Sequence, residues 1–138
     1  EPIRLPGTAV DRLFPTAATL ADVPDDALAM PNARKRALRH LMATLACGDL
    51  SLDPGVDRET TERQLNAMPG IGPWTAAYIA LRALGDPDVF LATDLGVKHA
   101  LEALGHDGSP KAAAARAERW RPWRSYATLH LWKSLERN

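Results

Sequence analysis

A chain of 138 residues, 46% hydrophobic and 25% charged, is long enough to bury one core and has no apolar run of the length that a membrane span requires. Its 17 basic residues balance its 17 acidic ones, so no global charge draws it to nucleic acid or to an anionic surface. The single cysteine, Cys47, excludes a disulfide framework and a thiol cluster for zinc or iron–sulfur. It lies in an apolar helical stretch and reads as a small buried residue of a protein in a reducing compartment. No signal-peptide pattern opens the chain, and the start at Glu1 reads as that of a piece of a longer protein.

Residues 1–30, rich in Pro, Asp and Thr, read as irregular with short helices from Pro15 to Ala21 and from Pro24 to Ala29. From Asn32, Ala33, Ala37, Leu38, Leu41, Met42, Leu45 and Ala46 fall at helical spacing, and Gly48 stops the run. Asp57 opens a helix that ends at Met68-Pro-Gly; Pro73 to Leu84 is another, closed by Gly85 and Pro87. Val89, Phe90 and Leu91 form an extended apolar link, after which Thr93 or Asp94 caps a helix to Leu104. Ser109-Pro110 starts the next, reaching Trp120, and Pro122 reads as the first helical position of the last. No segment alternates with period two for long enough to make a strand, so the expectation is one all-α domain over 1–138. Within it, 57–84 is a helix-turn-helix hairpin and 88–138 carries Asp94 and the C-terminal helices.

Charge is segregated despite the zero balance. Glu1, Asp11, Asp22, Asp25 and Asp26 outnumber Arg4 and Arg12 in residues 1–30, while Arg34-Lys-Arg36 with Arg39, and Lys111, Arg116, Arg119, Arg121, Arg124 and Lys133, form basic clusters. Each cluster by itself reads as a solvated helix face. The turn in Leu65-Asn-Ala-Met-Pro-Gly-Ile-Gly-Pro-Trp-Thr-Ala76 says more. Gly70 and Gly72 can take positive φ and carry no side chain, so the turn can aim bare backbone N–H groups at a phosphate where the next helix begins. Ile71 is expected to plug the hairpin, and Thr75 and Ala76 to let its helices approach. The histidines, His40, His99, His106 and His130, have no ligand spacing, and His130 reads as a packed or hydrogen-bonded helix residue. Trp120 and Trp123 read as core.

Met-Pro-Gly-Ile-Gly-Pro-Trp-Thr-Ala, followed about twenty residues on by Asp94, resembles the helix-hairpin-helix, Gly/Pro-rich loop and aspartate of a superfamily of base-excision DNA glycosylases. Trp74-Thr-Ala-Ala-Tyr78 and Arg121-Pro-Trp-Arg-Ser-Tyr-Ala-Thr-Leu-His-Leu-Trp132 are similar to the bacterial 3-methyladenine DNA glycosylase II branch. The resemblance covers roughly residues 14–136. It implies the helix-hairpin-helix glycosylase fold without the family's N-terminal helices, and it assigns roles. Asp94 is the catalytic anion facing a sugar that turns positive as the N-glycosidic bond breaks. Trp74, Tyr78 and Trp132 are the rings on which a flipped, cationic base stacks. Gly70, Gly72 and Thr75 bind a DNA phosphate, and the main-chain oxygens of Asn66, Met68 and Ile71 hold a structural Na+ or K+.

Relatives that also cut the backbone place a Schiff-base lysine two residues after the second loop glycine; here Trp74 stands there, so the implied enzyme is monofunctional. Thr93 stands where close relatives often carry a second acid, and Leu95 where some carry an aromatic. The implied function is base-excision repair: hydrolysis of alkylated purines such as 3-methyladenine from double-stranded DNA, with no cofactor required, by a cytoplasmic, nucleoid-associated monomer. In longer relatives this region can be fused to further N-terminal domains. Two other readings stay open: a non-catalytic DNA-binding helix-hairpin-helix module, and an inactive fragment of a larger alkylation-repair and transcription-activator protein. A purely structural helical interaction domain is a further possibility, but it leaves the Gly-Ile-Gly loop and Asp94 unexplained.

Overall fold

A computed structural model describes residues 13–136, which form seven α-helices and no strand. The acidic residues Glu1 and Asp11, with Arg4 and Arg12, lie outside the described residues. Contacts divide the described residues into two units, one comprising residues 13–50 and 68–70 and the other 51–67 and 71–136.

In the first unit, helix α1 (Ala17–Ala21) packs along α2 (Asn32–Cys47). Thr16 caps α1 by accepting from the Thr19 N–H. A single 3₁₀ turn, Asp25–Ala27, replaces the second short helix expected there. Arg39 fastens it: its Nη2 lies 2.6 Å from Asp25 Oδ1, and its Nη1 donates to the Ala21 carbonyl. Gly48 ends α2 at φ +84°, donating to the Leu45 carbonyl. Leu41 and Leu50 are buried. Cys47 is exposed, contrary to its reading as a core residue, and its thiol donates to Asp49. Six residues at about 100° each carry it well round the helix from the buried Leu41. Gly70 belongs to this unit and earns its glycine twice: its φ is +86°, and a Cβ would stand 2.7 Å from that of Ala37.

The second unit holds α3 (Arg58–Ala67), α4 (Pro73–Arg82), α5 (Leu95–Ala103), α6 (Pro110–Ala117) and α7 (Arg124–Leu135). Helix α3 packs on α4 through Leu65, Ala76 and Ala80, all essentially inaccessible to water. Ile71 is only half-buried. Helix α5 packs on both α6 and α7. Val97, Ala100 and Leu101 meet Ala113 and Leu131 in a core against which Phe90, Trp120 and Trp132 also lie. The alanines at 100 and 113 let the helices approach closely enough to exclude water. Trp120 packs edge-on to Phe90 as expected of a core ring, whereas Trp123 is 60% exposed and meets only Tyr126 edge-on among the aromatic contacts of the described residues.

Helix α7 begins at Arg124 and not at Pro122: residues 118–120 form a 3₁₀ turn, Arg121 is extended, the Arg121–Pro122 peptide is cis, and the Trp123 N–H closes a turn onto the Trp120 carbonyl. A polar clasp then seats the start of α7 on residues 86–89. Arg124 grips Asp88 with two bonds, Nε to Oδ1 at 2.7 Å and Nη2 to Oδ2 at 3.0 Å, and Arg121 adds a third at 2.8 Å. Glu118 accepts from both arginines. The buried Ser125 hydroxyl accepts from the Val89 N–H and donates to the Asp86 carbonyl, while its own N–H donates to the Pro87 carbonyl. The Arg-Pro-Trp-Arg-Ser segment thus fixes where α7, and Trp132 on it, can stand.

Hydrogen bonding by Arg124 holds the Asp88 carboxyl below the usual carboxylate range, and Arg121 does the same for Glu118. A carboxyl whose folded-state pKa is depressed contributes stability that is complete above the unfolded value, about 4, and is lost as pH falls through the folded one. The melting temperature should therefore hold from neutral pH down to about pH 5 and fall below about pH 4. Asp88→Asn should lower the plateau and flatten the acid limb; thermal melts across that range test it.

Candidate active site

The site is built on the N-termini of α4 and α5 and the last turns of α7. Gly72 and Pro73 start α4, with proline at the first helical position where its missing N–H costs nothing. Trp74 and Tyr78, one turn apart, share a face of that helix, and their rings stack at 5.2 Å and 15°. Trp132 of α7 also approaches Tyr78, centroid to centroid 6.1 Å at 44°. Trp74 and Tyr78 keep 41% and 36% of their surface exposed, so this layered cluster of rings offers aromatic area to a guest.

Asp94 lies among them. As the N-cap of α5 it accepts the Val97 N–H on Oδ1 at 2.9 Å. The same oxygen accepts the indole N–H of Trp132 at 2.7 Å, and Oδ2 accepts that of Trp74 at 3.1 Å. A negative charge there faces three N–H donors and the positive end of a helix. The half-buried carboxylate still has acceptor capacity, since its two oxygens offer about four lone-pair directions and three are used. Thr93 and Leu95 on either side are exposed, Leu95 by 67%.

The structure thus brings together Asp94, Trp74, Tyr78 and Trp132. Sequence reasoning assigned the two tryptophans to stacking alone and missed that both indoles hydrogen-bond the acid. It also missed Gly96, whose Cβ would stand 2.9 Å from Trp132 Cδ1 and 3.0 Å from Asp94 Oδ1. The available signal was a glycine near the start of an otherwise strong helical pattern, where alanine is the better residue.

At the turn, only Gly70 uses a positive φ. Gly72 is extended, at φ −87° and ψ 169°, and no described atom lies within 4 Å of where its Cβ would be. Nothing in the described residues therefore requires glycine at 72. Thr75 is half-buried on the first turn of α4, and the Asn66 side chain donates to the Glu62 carbonyl. His130 is exposed on α7 rather than packed, as are His40, His99 and His106. Among the described residues no group of His, Cys, Asp and Glu could hold a metal ion, and no helix is long and apolar enough to cross a membrane.

No family model matches the chain. It is 48% identical over 128 residues to a probable bifunctional transcriptional activator/DNA repair enzyme AlkA of Mycobacterium tuberculosis, a match covering 93% of this chain and 26% of that protein. It is 41% identical over 122 residues to DNA-3-methyladenine glycosylase 2 of Escherichia coli, covering 86% of this chain and 42% of the relative. The chain thus spans between a quarter and a half of the length of these relatives. Among solved structures, the 3-methyladenine DNA glycosylase Mag1 of fission yeast, in complex with abasic DNA, superposes with a TM-score of 0.74 at 23% identity. That match covers 89% of this chain and 64% of the yeast one, and establishes the shared all-helical fold.

Capping and charge at Asp94 are separable. Asparagine caps a helix about as well as aspartate, whereas alanine in place of either loses about 1 kcal/mol. Asp94→Asn keeps the cap but turns an amide NH2 toward the Trp74 indole N–H that Oδ2 accepted, so it should lower urea-unfolding stability less than Asp94→Ala, which loses the cap and both indole bonds.

Proposed function

Because the chain belongs to the helix-hairpin-helix family of AlkA-type 3-methyladenine DNA glycosylases, as a portion of its members, we propose that it carries the catalytic centre of a monofunctional glycosylase acting in base-excision repair. The substrate class is duplex DNA bearing alkylated purines such as 3-methyladenine. The observation that carries this reading is the Asp94 carboxylate held by two indole N–H groups beside a half-exposed stack of rings.

The chemistry follows from that arrangement. An alkylated purine carries a positive charge, and a base turned out of the helix can lay it against the electron-rich faces of Trp74, Tyr78 or Trp132. As the bond from C1′ to the base nitrogen breaks, its electron pair leaves with the base, which becomes neutral, and the positive charge passes to the sugar. Asp94 is the fixed anion for that sugar, pre-oriented by its three donors so that little reorganisation is needed when the charge appears. Water adds to C1′ and gives up a proton, leaving an abasic site and a free base; the unused acceptor direction of Asp94 can orient that water. With Trp74 in the place of a Schiff-base lysine the backbone is not cut.

The turn supplies the grip on DNA. Gly72 meets no conformational or packing demand among the described residues, and such open space is what a close approach to an external phosphate would require of it. The free N–H groups at the start of α4, together with Gly70, Gly72 and Thr75, suit that phosphate. The main-chain oxygens of Asn66, Met68 and Ile71 are hard, neutral donors of the kind that suit Na+ or K+, and we assign such an ion a bridging, structural role with no further cofactor. A DNA-bound enzyme of this kind would work as a monomer in the bacterial cytoplasm, at the nucleoid.

The test is release of 3-methyladenine from alkylated duplex DNA by this chain, by its natural full-length parent, and by the parent carrying Asp94→Asn. Release should fall roughly 100-fold or more with the substitution, the scale on which loss of a pre-oriented charge partner is felt. DNA binding without release in any unsubstituted form would instead establish a non-catalytic helix-hairpin-helix module. Gly72→Asp should fold normally, since its backbone is unstrained and the space is open, yet bind DNA more weakly and with a shallower salt dependence in a fluorescence titration.

A further inference from the structure

Gly96 sits at the second position of α5, where glycine gives up more backbone freedom on folding than any other residue and alanine would serve the helix better. Its φ is not positive, so no turn or left-handed conformation asks for it. Space does: a Cβ would lie 2.9 Å from Trp132 Cδ1 and 3.0 Å from both Trp132 Nε1 and Asp94 Oδ1. None of these atoms can yield freely. Asp94 Oδ1 is held by the Val97 N–H and the Trp132 indole, and Val97, Ala100 and Leu101 lock α5 in the core that also takes Leu131, the neighbour of Trp132. The helices cannot slide apart without opening that core, so the only movable member is the indole.

We infer that Gly96 is a positioning residue for base excision: the absence of a side chain there is what lets the Trp132 indole reach Asp94 and orient its carboxylate. A Cβ at 96 forces the indole aside, which lengthens its bond to Oδ1, loosens one of the three donors that orient the carboxylate and retilts the ring of Trp132 against Tyr78. The inference rests on Asp94 being the catalytic anion, but the packing it describes can be read independently of activity.

The indole N–H resonances of the ¹⁵N-labelled chain report the geometry. In the unsubstituted chain those of Trp74 and Trp132 should both lie downfield at neutral pH, as indoles donating to a carboxylate do, and Asp94→Ala should move both upfield. In Gly96→Ala, the Trp132 resonance should move upfield while that of Trp74 stays in place, with the far-ultraviolet circular dichroism unchanged. In the natural full-length parent, Gly96→Ala should lower the single-turnover rate of 3-methyladenine release by about 10-fold at unchanged DNA affinity, less than the roughly 100-fold that a full 1 Å misplacement brings. In a Trp132→Phe background, which already lacks the N–H, the same substitution should add little. A Trp132 resonance that keeps its position in Gly96→Ala overturns the inference, and so does an unchanged release rate alongside a moved resonance. Absence of release from the unsubstituted parent overturns the catalytic reading itself, and this inference with it.

Discussion

A single carboxylate joins three helices at the centre of the proposed site. Asp94 caps α5, receives an indole N–H from α4 and receives another from α7. Each bond has a local reason. The cap satisfies an N–H that the first turn of a helix leaves without a partner, and the indoles place their only polar atoms on an anion while their ring faces remain available. An aspartate that merely capped a helix would need neither tryptophan. Two donors spread over its two oxygens fix the plane of the carboxylate, and a fixed plane is what lets a charge act on a reacting centre without first reorganising.

The geometry would fail if α7 were free to move, and the polar clasp at its start prevents that. Asp88 takes both arms of Arg124 and one of Arg121, and Ser125 satisfies three backbone groups of residues 86–89 with its N–H and hydroxyl. A bidentate arginine–carboxylate pair constrains direction as well as distance, so the start of α7 is held in orientation. The core of Val97, Leu101, Ala113 and Leu131 fixes the same helix farther along. Trp132 is therefore held by hydrogen bonding at one end of its helix and by packing at the other.

Three glycines stand in three different situations. Gly70 is required by its own backbone and by Ala37. Gly96 is required by neither backbone nor turn, only by the indole that lies against it. Gly72, the N-cap of α4, meets neither demand among the described residues: its backbone is extended and the space beside it is open.

The sequence by itself determined the helices and their order, because apolar spacing, proline starts and glycine stops are local signals: α2, α3, α4 and α5 begin within a residue or two of their expected starts. It also narrowed the cap of α5 to Thr93 or Asp94, of which the structure uses Asp94, and it brought Trp74 and Tyr78 together, since they lie one turn apart on one helix. Only the tertiary structure decided what depends on distant elements meeting. The Trp132–Asp94 bond joins residues 38 apart, the Ser125 clasp residues 36 to 39 apart, and the crowding at Gly96 arises only because α7 lies across the start of α5. The same limit explains the misplaced residues. Cys47, Trp123 and His130 lie in helical or aromatic patterns that suggest burial, but which face of a pattern meets a neighbour is set by the packing of other helices, and no local period records it.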